Sequence, residues 1–141
     1  MHKSIRWATG LLTAAAAVGA FAAPAHAETS WYNGGQRGVP TDCWKGYLCV
    51  WKDTDFQLGG WGVARFEHSN ANWTKTPMAY MNDHGSSWYN NGHPGSFSSV
   101  RVYEHADYQG RSLCLDAGWG ATWDSDMNDK GSSNRWFDGR C

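Results

Sequence analysis

Glutamate is scarce in this sequence. Glu28, Glu67 and Glu104 are all there is, and the aspartates fall mostly in turn-like stretches. No two carboxylates stand out as the acid and base that glycoside hydrolysis requires. No serine is framed by a nucleophile-elbow pattern. His68, His84, His93 and His105 are scattered, with no pair at the helical spacing of a metal site, and are read as solvated loop residues. An enzyme is therefore not expected. An excess of one charge is missing as well. Setting aside Lys3 and Arg6, 10 basic residues face 13 acidic ones, a net charge of −3 with His neutral. Neither nucleic acid nor an anionic membrane is expected as a partner. No window carries a helical apolar stripe of useful length, and beyond the N-terminus no run is apolar enough to span a bilayer.

The N-terminus itself is an address. Met1 to Arg6 is basic, Trp7 to Ala23 is small or apolar, and Ala25-His26-Ala27 offers small residues around a cut. This is a secretory signal peptide over residues 1–27, with cleavage expected after Ala27. The chain is then secreted into an extracellular, oxidising setting. There Cys43, Cys49, Cys114 and Cys141 are expected to form two disulfides. Three pairings are open. Cys43–Cys49, close in sequence, and Cys114–Cys141, tying the end of the chain to an internal strand, are favoured. Zinc is the rival use of four cysteines, but their spacings match no common ligand pattern.

Only Trp7 of the ten tryptophans lies in the leader. The rest give a short chain large aromatics to bury, although some are expected to stay exposed. The candidates for exposure are Trp31-Tyr32, Trp73, Trp88-Tyr89 and Trp119 with Trp123. Core or edge packing accounts for most of these, and a sugar-stacking platform is the alternative.

Residues 28–42 lack periodicity and are read as a flexible N-terminal arm; the ordered domain is expected over 43–141. Tyr47–Trp51 and Val100–Tyr103 alternate as strands, with Leu48, Val50, Val100 and Val102 on one inward face. Trp61–Phe66 and Ser112–Leu115 follow them as strands, with Leu113 and Leu115 inward and Cys114 on the other side. Asn70–Tyr80 and Asp116–Asp126 read as long, weakly patterned connections. The fold class is all-β.

The chain also repeats itself. Asn82-Asp83-His84-Gly85-Ser86-Ser87 returns as Asn128-Asp129-Lys130-Gly131-Ser132-Ser133. Upstream, Trp51…Phe56…Gly59 is matched by Tyr103…Tyr108…Gly110. Two signatures recurring in the same order describe a duplicated unit. Gly110 supplies the positive φ needed where a hairpin folds over, and Ser87 and Ser133 can tether that hairpin through their hydroxyls. Leu58 is an extra residue in the first copy, so its hairpin is expected to differ in shape.

These repeats resemble the Greek-key signature of the βγ-crystallin superfamily across nearly all of Leu48–Phe137. The resemblance implies two Greek keys forming one sandwich domain. It also implies calcium as a cofactor, bound weakly to moderately by oxygen donors of the hexads: the side chains of Asp83, Ser86, Asp129 and Ser132 and the carbonyls of His84 and Lys130. Each site is completed by a residue after the first strand of the opposite unit, Glu104 for the first hexad and Lys52 for the second. The Lys52 ammonium departs from the pattern and weakens its site unless only its carbonyl is used.

The leader, followed by Cys43, Gly46, Tyr47, Cys49, Trp51 and a single such domain, resembles the secreted metalloproteinase-inhibitor family of streptomycetes. This implies a peptidase inhibitor, acting as a monomer, whose partner is an extracellular protease of the thermolysin type. An inhibitory loop needs a long connection with a bulky apolar side chain. Asn72–Tyr80, stiffened by Pro77 and carrying Trp73, Thr74, Lys75, Met78 and Tyr80, is favoured over Gly118–Trp123. The alternative is a secreted killer-toxin-like or structural stress protein with no inhibitory activity.

Overall fold

Leu48, Val50, Val100 and Val102 are all fully buried, and they face one another across two antiparallel sheets. A computed structural model describes residues 28–141; the leader expected over residues 1–27 lies outside them. The strands are β1 (Thr29–Asn33), β2 (Leu48–Trp51), β3 (Val63–Phe66), β4 (Ser87–Asn90), β5 (Ser99–His105), β6 (Gln109–Leu115), β7 (Trp119–Asp124) and β8 (Ser133–Phe137). Among the described residues, helix is confined to the single turn α1 (Gly34–Arg37) and four 3-10 turns. The fold is the all-β, two-Greek-key sandwich that the repeats implied.

One sheet has five strands in the order β1-β7-β4-β2-β3, and the other has three, β6-β5-β8. The two units interlock. β7, from the second unit, pairs with β4 of the first through Trp88↔Ala121 and Tyr89↔Gly120. In return Asn70 of the first unit bridges Asn134 in β8. Between the sheets lie Phe66, Trp73, Trp88, Leu113, Leu115 and Met127 along with the four alternating residues above. Leu113 and Leu115 point inward from β6 as expected, while Cys114 is only partly covered. A second cluster, Trp51, Val63 and Tyr89 with Tyr32 and Phe56, covers the outer face of the larger sheet beneath the Cys43–Cys49 bridge. The other bridge joins Cys114 to Cys141.

Two segments differ from expectation. The arm expected to be flexible contains β1, which pairs with β7 from Thr29↔Asp124 to Asn33↔Trp119. Its Tyr32 ring packs edge-on against Phe56 and Tyr89, at 4.8 and 6.0 Å between centroids. The connection over 116–126 likewise contains β7. Gly120 hides that strand's pattern, and the packing requires it. A Cβ there would lie 2.6 Å from the Trp88 carbonyl oxygen and 2.8 Å from the Tyr89 ring. The hairpins differ as the extra Leu58 implied. The second passes from β5 to β6 through Ala106–Tyr108 alone, whereas the first runs on through a further turn closed by the Gly62 N–H on the Leu58 carbonyl, at 3.1 Å.

The end of the chain is pinned through Asp116. Its Oδ1 accepts from the Cys141 N–H at 2.8 Å and from the Ser99 hydroxyl at 2.9 Å, and its Oδ2 faces Arg140 at 3.6 Å. The Cys141 N–H above all holds this carboxyl below the ordinary aspartate value of 3.8, against partial burial that pushes it up, with Ser99 and Arg140 adding to the depression. A group with a depressed folded pKa stabilises the fold above its unfolded value and ceases to do so as pH falls through the folded one. Asp116→Asn should therefore melt below the wild type at neutral pH, and the gap should close as pH drops below 3.8. Melting curves of both proteins across that range test this.

Candidate functional site

The two hexads lie side by side and exchange hydrogen bonds. Asp83 and Asp129 sit in the left-handed region, at φ 57° and 56°, which short polar side chains tolerate. The Asp83 N–H donates to the Gly131 carbonyl and the Asp129 N–H to the Gly85 carbonyl, both at 2.9 Å. The side chains cross in the same way. The Ser132 hydroxyl donates to Asp83 Oδ1 at 2.8 Å, and the Ser86 hydroxyl lies 3.4 Å from Asp129 Oδ1. Each cluster thus combines the aspartate of one hexad with the serine of the other, rather than both from one.

The flanking residues follow the serine. The Ser132 N–H bonds the Tyr103 carbonyl, and Lys130 Nζ lies 4.0 Å from Glu104 Oε1, so Glu104 joins Ser132 and Lys130 of its own unit. The Lys130 carbonyl is 3.4 Å from Ser132 Oγ. In the first unit the Ser86 N–H bonds the Trp51 carbonyl. Lys52 does not reach for Asp129. Its ammonium lies over the Trp61 ring, 5.3 Å from the centroid, and 3.8 Å from Asp53. His84 rests against the same ring at 5.0 Å, with Nδ1 2.6 Å from the Asn82 carbonyl.

These donors fit a hard cation only modestly. Each cluster offers one aspartate carboxylate, one hydroxyl and nearby carbonyls, Glu104 stands beside the cluster of Asp83 and Ser132, and Asn82 Oδ1 is a buried oxygen without a hydrogen-bond partner. Among the described residues no three His, Cys, Asp or Glu side chains converge. That donor set suits calcium completed by water and argues against a tight cage or a zinc site.

Ser87 and Ser133 do something different. Each hydroxyl donates to a carbonyl, of Asp53 at 2.7 Å and His105 at 2.6 Å, and accepts the N–H of Phe56 at 3.1 Å and Tyr108 at 3.2 Å. They tie down the folded-over hairpins, as their position in the repeats implied.

The connection expected to present an inhibitory side chain is coiled, not extended. It forms 3-10 turns at Trp73–Lys75 and Ala79–Met81, the first capped by Asn72 Oδ1 on the Thr74 N–H. Trp73 is fully buried; its ring stacks on Phe66 at 4.4 Å and its Nε1–H donates to Asn134 Oδ1 at 2.9 Å. It faces inward because the crossing segment it belongs to docks on β8, where Asn134 supplies the partner its indole needs. Met78 also packs on the core, leaving Thr74, Lys75 and Tyr80 exposed. Gly118–Trp123, the other candidate, is largely β7.

A different loop is the one held out. Residues 91–98 join the two units, and the buried Asn90 side chain brackets them. Its Oδ1 accepts the Gly92 N–H and its Nδ2 donates to the Ser98 carbonyl, both at 2.8 Å. From behind, the Gly46 N–H bonds the Asn91 carbonyl at 2.8 Å, Lys45 Nζ bonds the Gly92 carbonyl at 3.0 Å, and Asn91 Nδ2 bonds the Cys43 carbonyl at 2.9 Å. The bridged Cys43–Cys49 segment is thus the loop's foundation. At the tip Phe97 is 61% exposed, the most exposed large apolar side chain among the described residues, with its N–H fixed by Asp138 Oδ1 at 2.6 Å. Pro94-Gly95 was the sequence signal for a turn here.

The sequence model of peptidase inhibitor family I36 matches residues 36–115. No curated protein matches the chain. Among solved structures, the chain is similar to one solved in connection with the evolution of the eye-lens βγ-crystallin domain fold, at 19% identity and a TM-score of 0.54, over 79% of this chain and 100% of that one. It is also similar to a βγ-crystallin domain from Clostridium beijerinckii, at 20% identity, over 64% and 97% of the two chains, with a TM-score of 0.49. A βγ-crystallin from Ciona intestinalis gives 20%, 64%, 99% and 0.48. The first of these likenesses speaks to the fold alone.

Trp73, fully buried against Phe66 and bonded to Asn134, is a core residue. Trp73→Ala should destabilise the protein by about 3–5 kcal/mol, the usual cost of emptying a large aromatic site, as read from denaturant unfolding. A loss under about 1 kcal/mol would contradict its placement.

Proposed function

The chain belongs to peptidase inhibitor family I36, and on that basis we propose that it is a secreted, monomeric inhibitor of an extracellular protease of the thermolysin type, contacting it through the loop over residues 91–98. The observation that carries the choice of loop is the Asn90 bracket, which holds His93–Phe97 out from the surface, within the stretch matched to the family. A loop already ordered by its own hydrogen bonds loses little entropy on binding. Phe97 is a large apolar group suited to a hydrophobic specificity pocket. Gly95 and Phe97 lie at φ 115° and 53°. The backbone at the tip therefore turns sharply instead of running extended through an active site. Phe97 fills the pocket without delivering an extended peptide bond for cleavage, and the protease is obstructed instead of fed.

We propose in addition that calcium binds weakly at the two crossed clusters, held by Asp83 with Ser132 and by Asp129 with Ser86, with the carbonyls of Lys130 and His84 nearby. The cation would screen the two aspartates and brace the paired hexads. This rests on the donor chemistry above and on no bound ion.

Titration of the protein against thermolysin and against a serine protease tests the first reading. Inhibition of thermolysin that weakens roughly 30-fold or more in Phe97→Ala, as truncating an anchoring aromatic does, supports it. No effect on either enzyme at micromolar protein removes the inhibitor reading, and inhibition indifferent to Phe97 removes the loop. For calcium, saturation at ten times Kd adds about 1.4 kcal/mol per site, several degrees in a domain of this size. The melting temperature should rise by that much over a chelated sample, and the rise should shrink in Asp83→Ala and in Asp129→Ala. An unchanged transition at millimolar calcium would leave the hexads as structural ties only.

A further inference from the structure

Five strands lie over three, and the surplus falls at one side. β1 and the outer part of β7 meet the edge of β6 across two adjoining clefts. One, of about 290 Å³, is lined by Trp31, Trp119, Asp116, Arg140 and the Cys114–Cys141 bridge. The other, of about 320 Å³, is lined by Trp31, Thr29, Ser112, Leu113, Asp124 and Asp126 among others. Trp31 and the Cys114–Cys141 bridge line both, so the clefts adjoin along the indole and the bridge. Trp31 and Trp119 are on the same side of the larger sheet. Trp31 is opposite Ala121 in register, and Trp119 is two residues from Ala121 along β7. Ala121 faces the core between the sheets. The two tryptophans face the same way but lie past the limit of the smaller sheet, and they remain 52% and 39% exposed.

Two of the carboxylates around them are paired with arginines, and the third, Asp124, is buried and taken up by the Thr29 hydroxyl and the N–H groups of Asp126 and Met127. In the first cleft Asp116 Oδ2 and Arg140 Nε are 3.6 Å apart, too far for a direct hydrogen bond, and the arginine side chain is 88% exposed. Beside the second, Asp126 Oδ1 and Arg111 are 3.3 Å apart. Each pair sets an acceptor next to a fork of donors with no net charge, the complement of two neighbouring hydroxyls. Flat aromatic rings with such pairs beside them match a pyranose, which presents an apolar C–H face and a rim of hydroxyls. Neutral pairs favour an uncharged sugar chain over an anionic one. Two small adjoining clefts, each bordered by an exposed tryptophan, match a repeating chain better than they match the broad surface of a protein partner.

We propose that this overhang is a glycan-binding site for a neutral β-linked polysaccharide, with successive sugar rings stacked on Trp31 and Trp119 and their hydroxyls bonded by Asp116 and Arg140 in one cleft and by Ser112 and Asp126 in the other. The site shares no lining residue with the loop over 91–98 and does not depend on protease inhibition.

The test is titration of the purified protein with chitotetraose and with cellotetraose, followed by tryptophan fluorescence and by heat. At least one should bind saturably. Trp31→Ala and Trp119→Ala should each weaken binding tenfold or more, and Trp31→Tyr should retain most of it. Trp44→Ala and Trp61→Ala, both near the β3 side of the same sheet, should change nothing. If an alanine variant fails to fold, the indole ¹H–¹⁵N signals of the wild type decide instead. Those of Trp31 and Trp119 should shift with added sugar while that of Trp61 stays. No saturable binding of either oligosaccharide at millimolar concentration overturns the proposal, as does binding that survives both alanine variants. Loss of protease inhibition in Trp31→Ala, without any glycan binding, would make this face a protein-docking surface and likewise overturn it.

Discussion

The hydroxyls of Ser87 and Ser133 hold the chain in a conformation it would otherwise avoid. In each unit the hairpin after the first long strand folds over through two consecutive left-handed residues, Asp55-Phe56 and Asp107-Tyr108, none of them glycine. Four such residues cost on the order of 1–2 kcal/mol each. The return comes from two hydrogen bonds per serine, worth about 1 kcal/mol apiece, and from closing the second aromatic over the strand. Phe56 lands 5.0 Å from Trp51 and Tyr108 lands 5.7 Å from Tyr103, ring to ring. Because the serine stands at the end of its hexad, fixing the hairpin also fixes the hexad. The placement of Asp83, Ser86, Asp129 and Ser132 therefore depends on this tie.

What was legible in the sequence is what local chemistry determines. Alternation placed Leu48, Val50, Val100 and Val102 inward because each strand's two faces are set by its own residues. The hexads and the ring pairs were visible because they recur in the same order. Segments whose structure is set by a distant partner were not visible. β1 exists because β7 offers it an edge, and β7 exists as a strand because β4 accepts it from another unit. Trp73 has the bulk of an exposed anchor, yet its burial is decided by Phe66 on β3 and by Asn134, 61 residues further along the chain. The crossing of Asp83 to Ser132 had the same character. Both hexads stand out in the sequence, but each aspartate's partner lies in the other.

Duplication supplied the frame, and divergence supplied the differences on which specific binding depends. Lys52 and Glu104 occupy matching positions with opposite charge, so two clusters of the same backbone differ in their electrostatics. Only the first unit has the disulfide-bridged segment before it, and that segment supports the loop between the units. Only the second has its last strand followed by a tail bonded to Asp116. The framework tolerates these additions because they attach at strand ends and leave the paired cores of the sheets alone.

The exchange of β7 and Asn70 between the units also has a consequence in time. The first Greek key cannot complete its own sheet until residues 119–124 arrive, and the second lacks its bridging partner until the first is in place. Neither half is a folding unit in its own right, and pairings of this sequence separation are slow to form. A nascent chain cannot complete its two sheets until β7 and β8 have both been made. The topology thus postpones folding until both Greek keys have been made, and the first key waits with β4 unpaired on one side for as long as the chain between β4 and β7 takes to appear.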